Sequence, residues 1–319
     1  MGRRPPPESC RPTITATTTD VPLAADAFDV LLDPWRSGIT TQALIEILLI
    51  AVAAGPLGCW VVLFGLSYGA ESLAHAMLPG LVLAALAGLP LTLGAALGVA
   101  IAAPAVALAG RLPTIGADTA IGVVVTSLVG VGALLALAPE SPAGVQDLLF
   151  GDLLGVSSAE LVLTGALAGV VLVALRAAHG QLLTVGFDRI NAPAFGARPR
   201  MADTLLLLLV GGFTIVAVQA LGTLLTLAML VGPAATARLL THRFRGMMAL
   251  AAAIAAAGGA GGIYLSYYAD TAAGASIAAV IVAVHVCAAA AVRIAGSGKV
   301  HRGVVSPRAD VRTAAVAKH

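Results

Sequence analysis

From residue 43 onward, the chain consists of long apolar runs joined by short polar connections. Each run has about the 20 residues that a helix needs to cross the hydrocarbon core of a bilayer. Membrane-spanning β-strands would instead alternate polar and apolar residues, and the sequence shows no such alternation. The pattern predicts an all-α protein, a polytopic transmembrane helical bundle of about nine spans, with eight to ten as the range. The predicted spans are 43–65, 68–88, 90–110, 119–138, 159–176, 204–221, 223–240, 247–267 and 274–294.

The composition agrees with a membrane protein, because 59% of the residues are hydrophobic and 11% are charged. A soluble domain carries about 25% charged residues. Residues 1–41 are polar and rich in Pro, Thr and Asp, and they are predicted to form a disordered tail. The transmembrane domain follows over 42–295, and 296–319 form a cytoplasmic tail. Gly222 and Pro233 interrupt the apolar sequence around the sixth and seventh spans.

Arginine and lysine residues cluster at one end of the predicted spans. Every odd-numbered span from the third onward is followed by basic residues, whereas the opposite connections carry acidic ones. The positive-inside rule makes the basic side cytoplasmic. We therefore expect a multi-pass protein of the cytoplasmic (plasma) membrane, with its C-terminus inside and its N-terminus outside. Four arginines in the N-terminal tail run against this orientation. The residues that set it are Arg111, Arg176, Arg189, Arg198, Arg200, Arg238, Arg243, Arg245, Arg293, Lys299 and Arg302.

Two connecting segments are long enough to have structure of their own. Residues 139–158 form a short amphipathic stretch on the predicted outer face. Residues 177–203 form the longest predicted cytoplasmic loop, with Phe187 and Phe195 as apolar anchors. Long loops in compact proteins are usually functional. We therefore interpret 177–203 as a docking segment that contains a short helix.

Glu71 and His75 lie inside the second apolar run. They are four residues apart, so on a helix they share one face. A carboxylate and an imidazole together suit first-row divalent metals, including zinc, manganese and iron. Two such ligands make a weak site, but two copies of the chain facing each other would supply four. An ionisable residue inside a membrane is a candidate functional residue by default.

A structural interpretation of the pair stays open. Ser67 and Gly69 are candidates to open this helix, which would place Glu71 in its first turn, where the helix dipole favours a carboxylate. His75 would then be a packing histidine. Pro79 is expected to weaken the helix locally, although prolines are tolerated in membrane helices.

Other polar or small residues in the apolar runs favour structural interpretations. Glu46 is expected at the membrane interface, Gln219 in a helix–helix hydrogen bond, and Asp118 at a helix cap. His285 is isolated. Small residues at every fourth position predict close helix packing. These pairs are Gly94/Gly98, Gly165/Gly169 and Gly258/Gly262.

The sequence has no motif for energy conversion or hydrolysis. The segment "GSGKV", residues 296–300, lacks the first glycine and the final Ser/Thr of a phosphate-binding loop, and neither HExxH nor GxSxG occurs. The three cysteines form no CxxC pair and no cluster with histidine, so neither a disulfide nor a structural zinc site is expected. We expect no permanently bound cofactor and no nucleic-acid partner, with a divalent metal ion as substrate.

The segment "GAESLAHAMLPGLVLA" resembles the signature of the membrane permeases of metal-ion ABC transporters, whose usual pattern is G-D-A-L-S-H-A-x-L-P-G. The resemblance covers about residues 42–295 in six pieces that keep the family's order. The other five are "DTAIGVVVTSLVGVGALL", "LLFGDLLGVSSAEL", "FDRINAPAFGARP", "ALGTLLTLAMLVGPAATARLLTHR" and "GIYLSYYADTAAGASI".

This resemblance implies a homodimeric permease that imports zinc, manganese or iron by alternating access. It also implies two separate ATP-binding subunits inside and an extracellular solute-binding protein that delivers the metal. The family's aspartate and histidine fall on Glu71 and His75, and glutamate lengthens the acidic side chain by one methylene. The resemblance further implies an ATPase-coupling loop formed by Phe187, Asp188, Ala194, Phe195 and Gly196.

Three alternatives remain open at this point. A stand-alone secondary transporter or cation channel would need no docking loop. An intramembrane metal-dependent enzyme would need a third ligand and a general base near Glu71 and His75. A scaffold subunit would have no transport role at all.

Overall fold

The structure is a computed structural model that describes residue 35 and residues 38–109, 117–137 and 151–300. All regular secondary structure in these residues is helical, which confirms the predicted all-α class. The helices are α1 (Gly38–Phe64), α2 (Ser67–Ala76), α3 (Leu78–Leu86), α4 (Leu91–Ala109), α5 (Ala117–Ala136), α6 (Ser158–Phe187), a 3₁₀ helix (Ala192–Phe195), α7 (Pro199–Leu240), α8 (Phe244–Ala269) and α9 (Ala273–Val300).

Six helical segments in the described residues are long and apolar enough to cross a membrane. They are α1, the continuous segment formed by α2 and α3, and then α6, α7, α8 and α9. Shorter apolar helices cover Leu91–Ala102 and Ile121–Ala136. The chain is therefore a multi-pass helical membrane protein, and the number of about nine spans stays a prediction.

Helices α1 and α7 form the centre of the bundle. In their most apolar windows, 61% of the residues of α1 and 67% of those of α7 are buried, against 22% for α6 and for α9. The large buried side chains of the core include Trp60, Leu57, Leu206 and Met229. The outer helices pack around this pair and expose apolar side chains, as expected for surfaces that face lipid.

Gly222 divides α7 into two segments. Its backbone dihedrals, φ 73° and ψ 170°, are not helical. Before Gly222, the chain approaches the N-terminal half of α1, where Gln219 and Glu46 line one cavity. After Gly222, it approaches the C-terminal half, where Ala234 lies against Gly58. The contacts with α1 therefore change direction at Gly222, as expected for two antiparallel segments joined by a very tight turn.

Two of the three predicted glycine pairs lie where helices approach closely. A Cβ atom on Gly98 would lie 2.7 Å from Met77 Cα, and one on Gly258 would lie 3.0 Å from Ile281 Cγ1. The prediction was wrong for the pair in α6. A Cβ on Gly165 would meet Leu49 at an ordinary 3.8 Å, and a Cβ on Gly169 would meet nothing within 4 Å. Residue spacing alone does not indicate which face of a helix meets a neighbour.

Two helices extend beyond the predicted spans. Helix α6 continues to Phe187, so residues 177–187 are helical and the connection to α7 is limited to residues 188–198. The extension contains no proline, and it tolerates Gly180 and Gly186 because Leu182 and Val185 are buried against the bundle. Helix α1 begins at Gly38, inside the segment assigned to the polar tail. Most of residues 1–41, residues 139–150 and residues 301–319 lie outside the described residues.

Candidate metal path and coupling loop

Glu71 and His75 lie in the same short helix, α2, and both side chains are half-buried. The helix packs against α5 and α7. Tyr68 Oη approaches Gly122 of α5, and Leu207 of α7 lies 4.0 Å from the position of a Cβ on Gly69. The structure thus places the acid and the imidazole on one helix beside the central helix α7, as their spacing predicted.

The alternative in which the helix dipole accounts for Glu71 is not supported. Helix α2 begins at Ser67, and Leu66 precedes it without a side-chain cap. Glu71 is therefore the fifth residue of the helix, beyond the first turn, where the dipole effect is confined. The expected weak point near Pro79 is present, because α2 ends at Ala76, α3 starts at Leu78, and Pro79 occupies the first turn of α3.

Within the described part of one chain, no group of three or more His, Cys, Asp and Glu side chains is placed to hold a metal ion. Glu71 and His75 are therefore an incomplete ligand set in a single protomer. Divalent transition metals take at least four ligands in structural sites. The remaining ligands would have to come from water, from a protein that delivers the metal, or from a second copy of the pair.

The connection between α6 and α7 is a compact turn. The carboxylate of Asp188 accepts hydrogen bonds from the Asn191 side chain (2.7 Å) and the Asn191 backbone N–H (3.0 Å). These bonds hold the pKa of Asp188 below its ordinary value. The 3₁₀ helix then ends at Gly196, whose positive φ of 76° suits glycine. An ion pair between Arg189 and Asp203 ties the turn to α7.

Phe187, the last residue of α6, and Phe195 of the turn do not anchor this segment by burial in the bundle. Phe187 is 70% exposed, Phe195 is 79% exposed, and Ile190 between them is 90% exposed. Ala192 and Ala197 are the residues that hold the turn against the bundle, since both are buried. A well-ordered turn that exposes three large apolar side chains is typical of an interaction surface.

For three further polar residues, the observed surroundings or hydrogen-bond partners differ in part from those that the sequence predicted. Glu46 is buried inside the bundle: it is 1% exposed, and its Oε1 accepts a 2.7 Å hydrogen bond from Thr164 Oγ1. Gln219 donates through its side chain to Ile215 O of its own helix, not to another helix. His285 has a partner, because Thr236 Oγ1 lies 2.9 Å from its Nδ1. The side chain of Asp118 lies outside the described residues.

Sequence reasoning missed the Glu46–Thr164 pair. The two residues are 118 positions apart. The available signal was a glutamate near the start of the first predicted span and a threonine near the start of the fifth. Only the packing of α1 against α6 shows that they meet.

The sequence matches a transporter family model and several curated membrane proteins of metal transport systems. The ABC 3 transport family matches residues 37–292 of this chain. The manganese transport system membrane protein MntC of Halalkalibacterium halodurans is 35% identical over 238 residues, which cover 74% of this chain and 81% of that protein. The probable iron transport system membrane protein of Haemophilus influenzae is 32% identical over 250 residues, or 78% of this chain and 92% of that protein.

The fold agrees with these sequence relatives. The solved structure of PsaBC from Streptococcus pneumoniae in complex with Fab matches with a TM-score of 0.75 and 28% identity, over 82% of this chain and 94% of the matched chain. The chain belongs to the ABC 3 transport family. The family match confirms the resemblance noted in the sequence and assigns the chain to transport rather than to enzymatic catalysis.

Proposed function

We propose that this protein is the permease subunit of an ABC importer for a divalent transition metal ion, with manganese or zinc as the first candidates and iron as a further one. The observation that carries the proposal is the position of Glu71 and His75, half-buried on one helix beside the central helix of a family member. The relatives named for manganese and iron transport support this substrate class.

The working unit would be a homodimer with two separate ATP-binding subunits and an extracellular solute-binding protein. Two copies of Glu71 and His75 would line the central path. Two carboxylates near one axis repel each other, and a divalent cation relieves that repulsion more effectively than a monovalent one. Selectivity for dications follows from this charge, and the mixed oxygen and nitrogen ligands favour first-row metals.

The membrane arrangement would follow the predicted topology. If α7 contributes two spans divided at Gly222, the nine predicted spans correspond to α1, α2–α3, α4, α5, α6, two segments of α7, α8 and α9. The turn of residues 188–198 would then lie in the cytoplasm with the C-terminus, and the N-terminus would lie outside. Phe187 at the end of α6, together with Asp188, Ala194, Phe195 and Gly196 of this turn, would couple the permease to the ATPase.

Metal uptake tests the proposal. Cells would express the chain with its ATPase and binding protein, and accumulation of manganese, zinc and iron would be measured at matched membrane abundance. We expect Glu71→Ala and His75→Ala each to lower uptake of the same metal by at least about tenfold, the loss of one metal ligand costing about 1.4 kcal/mol or more. Glu71→Asp should retain uptake because it keeps the charge.

Asp270→Asn is the matched control, because it removes an exposed carboxylate away from the pair, at the end of α8. Its uptake should equal that of the wild type. Uptake that persists in both alanine variants would make Glu71 and His75 structural. Uptake that persists without the ATPase would favour a stand-alone secondary transporter or channel.

A further inference from the structure

A cavity of about 170 Å³ lies between α1, α6 and the first segment of α7. Three carboxylates line it, contributed by Glu46, Asp152 and Glu160, together with the polar side chains of Thr164 and Gln219. No lysine, arginine or histidine is among the described residues that line it. A water-accessible cavity with three acids and no base attracts cations.

Glu46 is the residue that makes this cavity a site rather than an acidic surface. Its side chain is 1% exposed, and Thr164 satisfies only Oε1. Oε2 is also buried, and it has no hydrogen-bond partner among the described residues. A buried carboxylate oxygen without a partner is costly, and proteins usually satisfy such an atom with a hydrogen bond, a metal or a water.

The other two carboxylates are held in place by their own hydrogen bonds. Glu160 Oε2 accepts from the Ser157 backbone N–H (2.7 Å) and from Ser157 Oγ (2.8 Å) in a capping box. Asp152 Oδ1 accepts from the Gly155 N–H at 2.9 Å. Gln219 uses its side-chain nitrogen on Ile215 O, which leaves its amide oxygen as an acceptor. The polar side chains that line the cavity therefore offer mainly oxygen acceptors.

We propose that this cavity binds a hydrated divalent cation of the hard, oxygen-preferring class, with Glu46 Oε2 as its direct protein ligand and Asp152 and Glu160 acting through bound waters. Oxygen donors select ions such as Mg²⁺, Ca²⁺ and Mn²⁺. Mg²⁺ and Mn²⁺ sites commonly keep several waters and use one or two carboxylates. Such a site agrees with the lack of three closely placed acidic, histidine or cysteine side chains in the described residues.

This site is distinct from Glu71 and His75. Neither residue is among those that line the cavity, and no described residue of α2 lines it. The cavity also lies at the N-terminal end of α6, opposite the 188–198 turn. The inference goes beyond the proposed function, because it adds a second cation site of different ligand chemistry.

The test uses Mn²⁺ as the probe on the purified full chain in lipid nanodiscs, with free Mn²⁺ followed by electron paramagnetic resonance. The background is the Glu71→Ala/His75→Ala double variant, so that the other candidate site does not contribute. We expect this variant to retain a Mn²⁺ site. Adding Glu46→Gln should weaken the Mn²⁺ affinity of that site by at least tenfold. Glutamine keeps the shape of the side chain and an oxygen acceptor for Thr164, so the change mainly removes the charge.

Asp270→Asn in the same background is the matched control and should leave Mn²⁺ affinity unchanged. A thermal unfolding midpoint equal to that of the background checks that the Glu46→Gln chain is folded. If that chain fails to fold, Asp152→Asn replaces it and should weaken the site as well. Electron spin echo modulation of the bound Mn²⁺ should show water deuterons in D₂O and no ¹⁴N coupling, since no histidine lines the cavity.

The proposal is overturned if the double variant binds no Mn²⁺, if Glu46→Gln leaves the affinity unchanged in a folded chain, or if the bound Mn²⁺ shows histidine nitrogen coupling. Each of these results leaves the proposed transport function standing. Conversely, loss of uptake in Glu71 and His75 variants says nothing about Glu46, so the two hypotheses fail separately.

Discussion

Individual glycines set the distances between helices in this protein. Gly98 of α4 is buried, and a Cβ atom there would lie 2.7 Å from Met77 Cα and 2.8 Å from Met77 O. Both neighbours are backbone atoms, so no side-chain rotation relieves the contact. Gly169 of α6 is also a glycine within a helix, but a Cβ atom added there would meet nothing within 4 Å. The environment, not the residue type, decides what each glycine contributes.

We expect Gly98→Ala to lower the thermal unfolding midpoint of the purified protein, at a cost of about 1–3 kcal/mol for overpacking a tight interface. Gly169→Ala is the control and should change stability by less than about 0.5 kcal/mol, as surface substitutions usually do. Equal unfolding midpoints for the two variants would contradict this expectation, since they would mean that α4 can move away from the α2–α3 junction without loss of stability.

At the same scale, the hydrogen bonds of the Asp188 carboxylate stabilise the turn of residues 188–198. Its pKa lies below the ordinary 3.8 because of the hydrogen bonds from the side chain and then the backbone of Asn191. A lowered pKa in the folded state means that the stabilisation is complete above the ordinary value and is lost as pH falls through the lower one. Asp188 is therefore ionised and bonded throughout the physiological pH range.

We expect Asp188→Ala to increase hydrogen exchange of the backbone amides of residues 189–196, measured by mass spectrometry, because the Asn191 N–H loses its acceptor. Protection in the wild type, corrected for intrinsic exchange, should not change between pH 5 and 8. Arg200→Ala, an exposed substitution at the start of α7, should leave these amides protected. Unchanged exchange in Asp188→Ala would mean that Gly196 and the Arg189–Asp203 pair suffice.

At the scale of elements, α7 shows how one residue changes the course of a long apolar sequence. Gly222 has φ 73° and ψ 170°, a region that is almost restricted to glycine. Its carbonyl still accepts a hydrogen bond from Thr226 Oγ1 at 2.7 Å, so the second segment begins with a satisfied backbone group. Gly151 packs directly against the backbone of residues 220–222, and a Cβ atom on Gly151 would overlap that backbone.

We expect Gly222→Ala to destabilise the protein by about 1–3 kcal/mol, the cost of holding a side-chain-bearing residue in this backbone conformation. Gly212→Ala in the same helix is the control, since its Cβ would make an ordinary 3.7 Å contact with Leu167. Thermal unfolding of both variants in the same detergent gives the comparison. A Gly222→Ala protein as stable as the Gly212→Ala protein would contradict the tight turn.

At the scale of the whole molecule, the two ends of the bundle have different chemistry. One end carries the acidic cavity around Glu46. The opposite end carries the 188–198 turn with its exposed apolar side chains, and there Trp60 of α1 contacts Phe244 of α8 with ring centroids 4.4 Å apart. The proposed importer would use this difference, with cations attracted at one end and the ATP-binding subunit docked at the other.

We expect Ile190→Ala and Phe195→Ala each to weaken association with the ATPase subunit by at least about tenfold, since large apolar side chains commonly dominate binding energy at such interfaces. Co-purification from membranes and ATP hydrolysis by the assembled complex would measure the loss. Val162→Ala is the control, because Val162 is 72% exposed at the other end of α6. Similar ATPase recovery for all three variants would exclude the turn as the docking site.

The sequence alone determined the class of the protein, the approximate positions of its helices and the pairing of Glu71 with His75. These features depend on local properties, namely the length of apolar runs and the residue spacing along one helix, which sequence records directly. The extent of α6 past residue 176 was missed, because an apolar helix that ends in polar residues has no sharp sequence boundary.

Tertiary structure decided the features that depend on residues far apart in the chain. Glu46 and Thr164 meet only because α1 packs against α6, and this contact turned an expected interfacial acid into a buried one. Packing also decided which glycine pairs matter and that Phe187 and Phe195 face outward. Pair contacts and exposure are set by how helices assemble, and the apolar character of a membrane helix is nearly the same on the faces that meet lipid and protein.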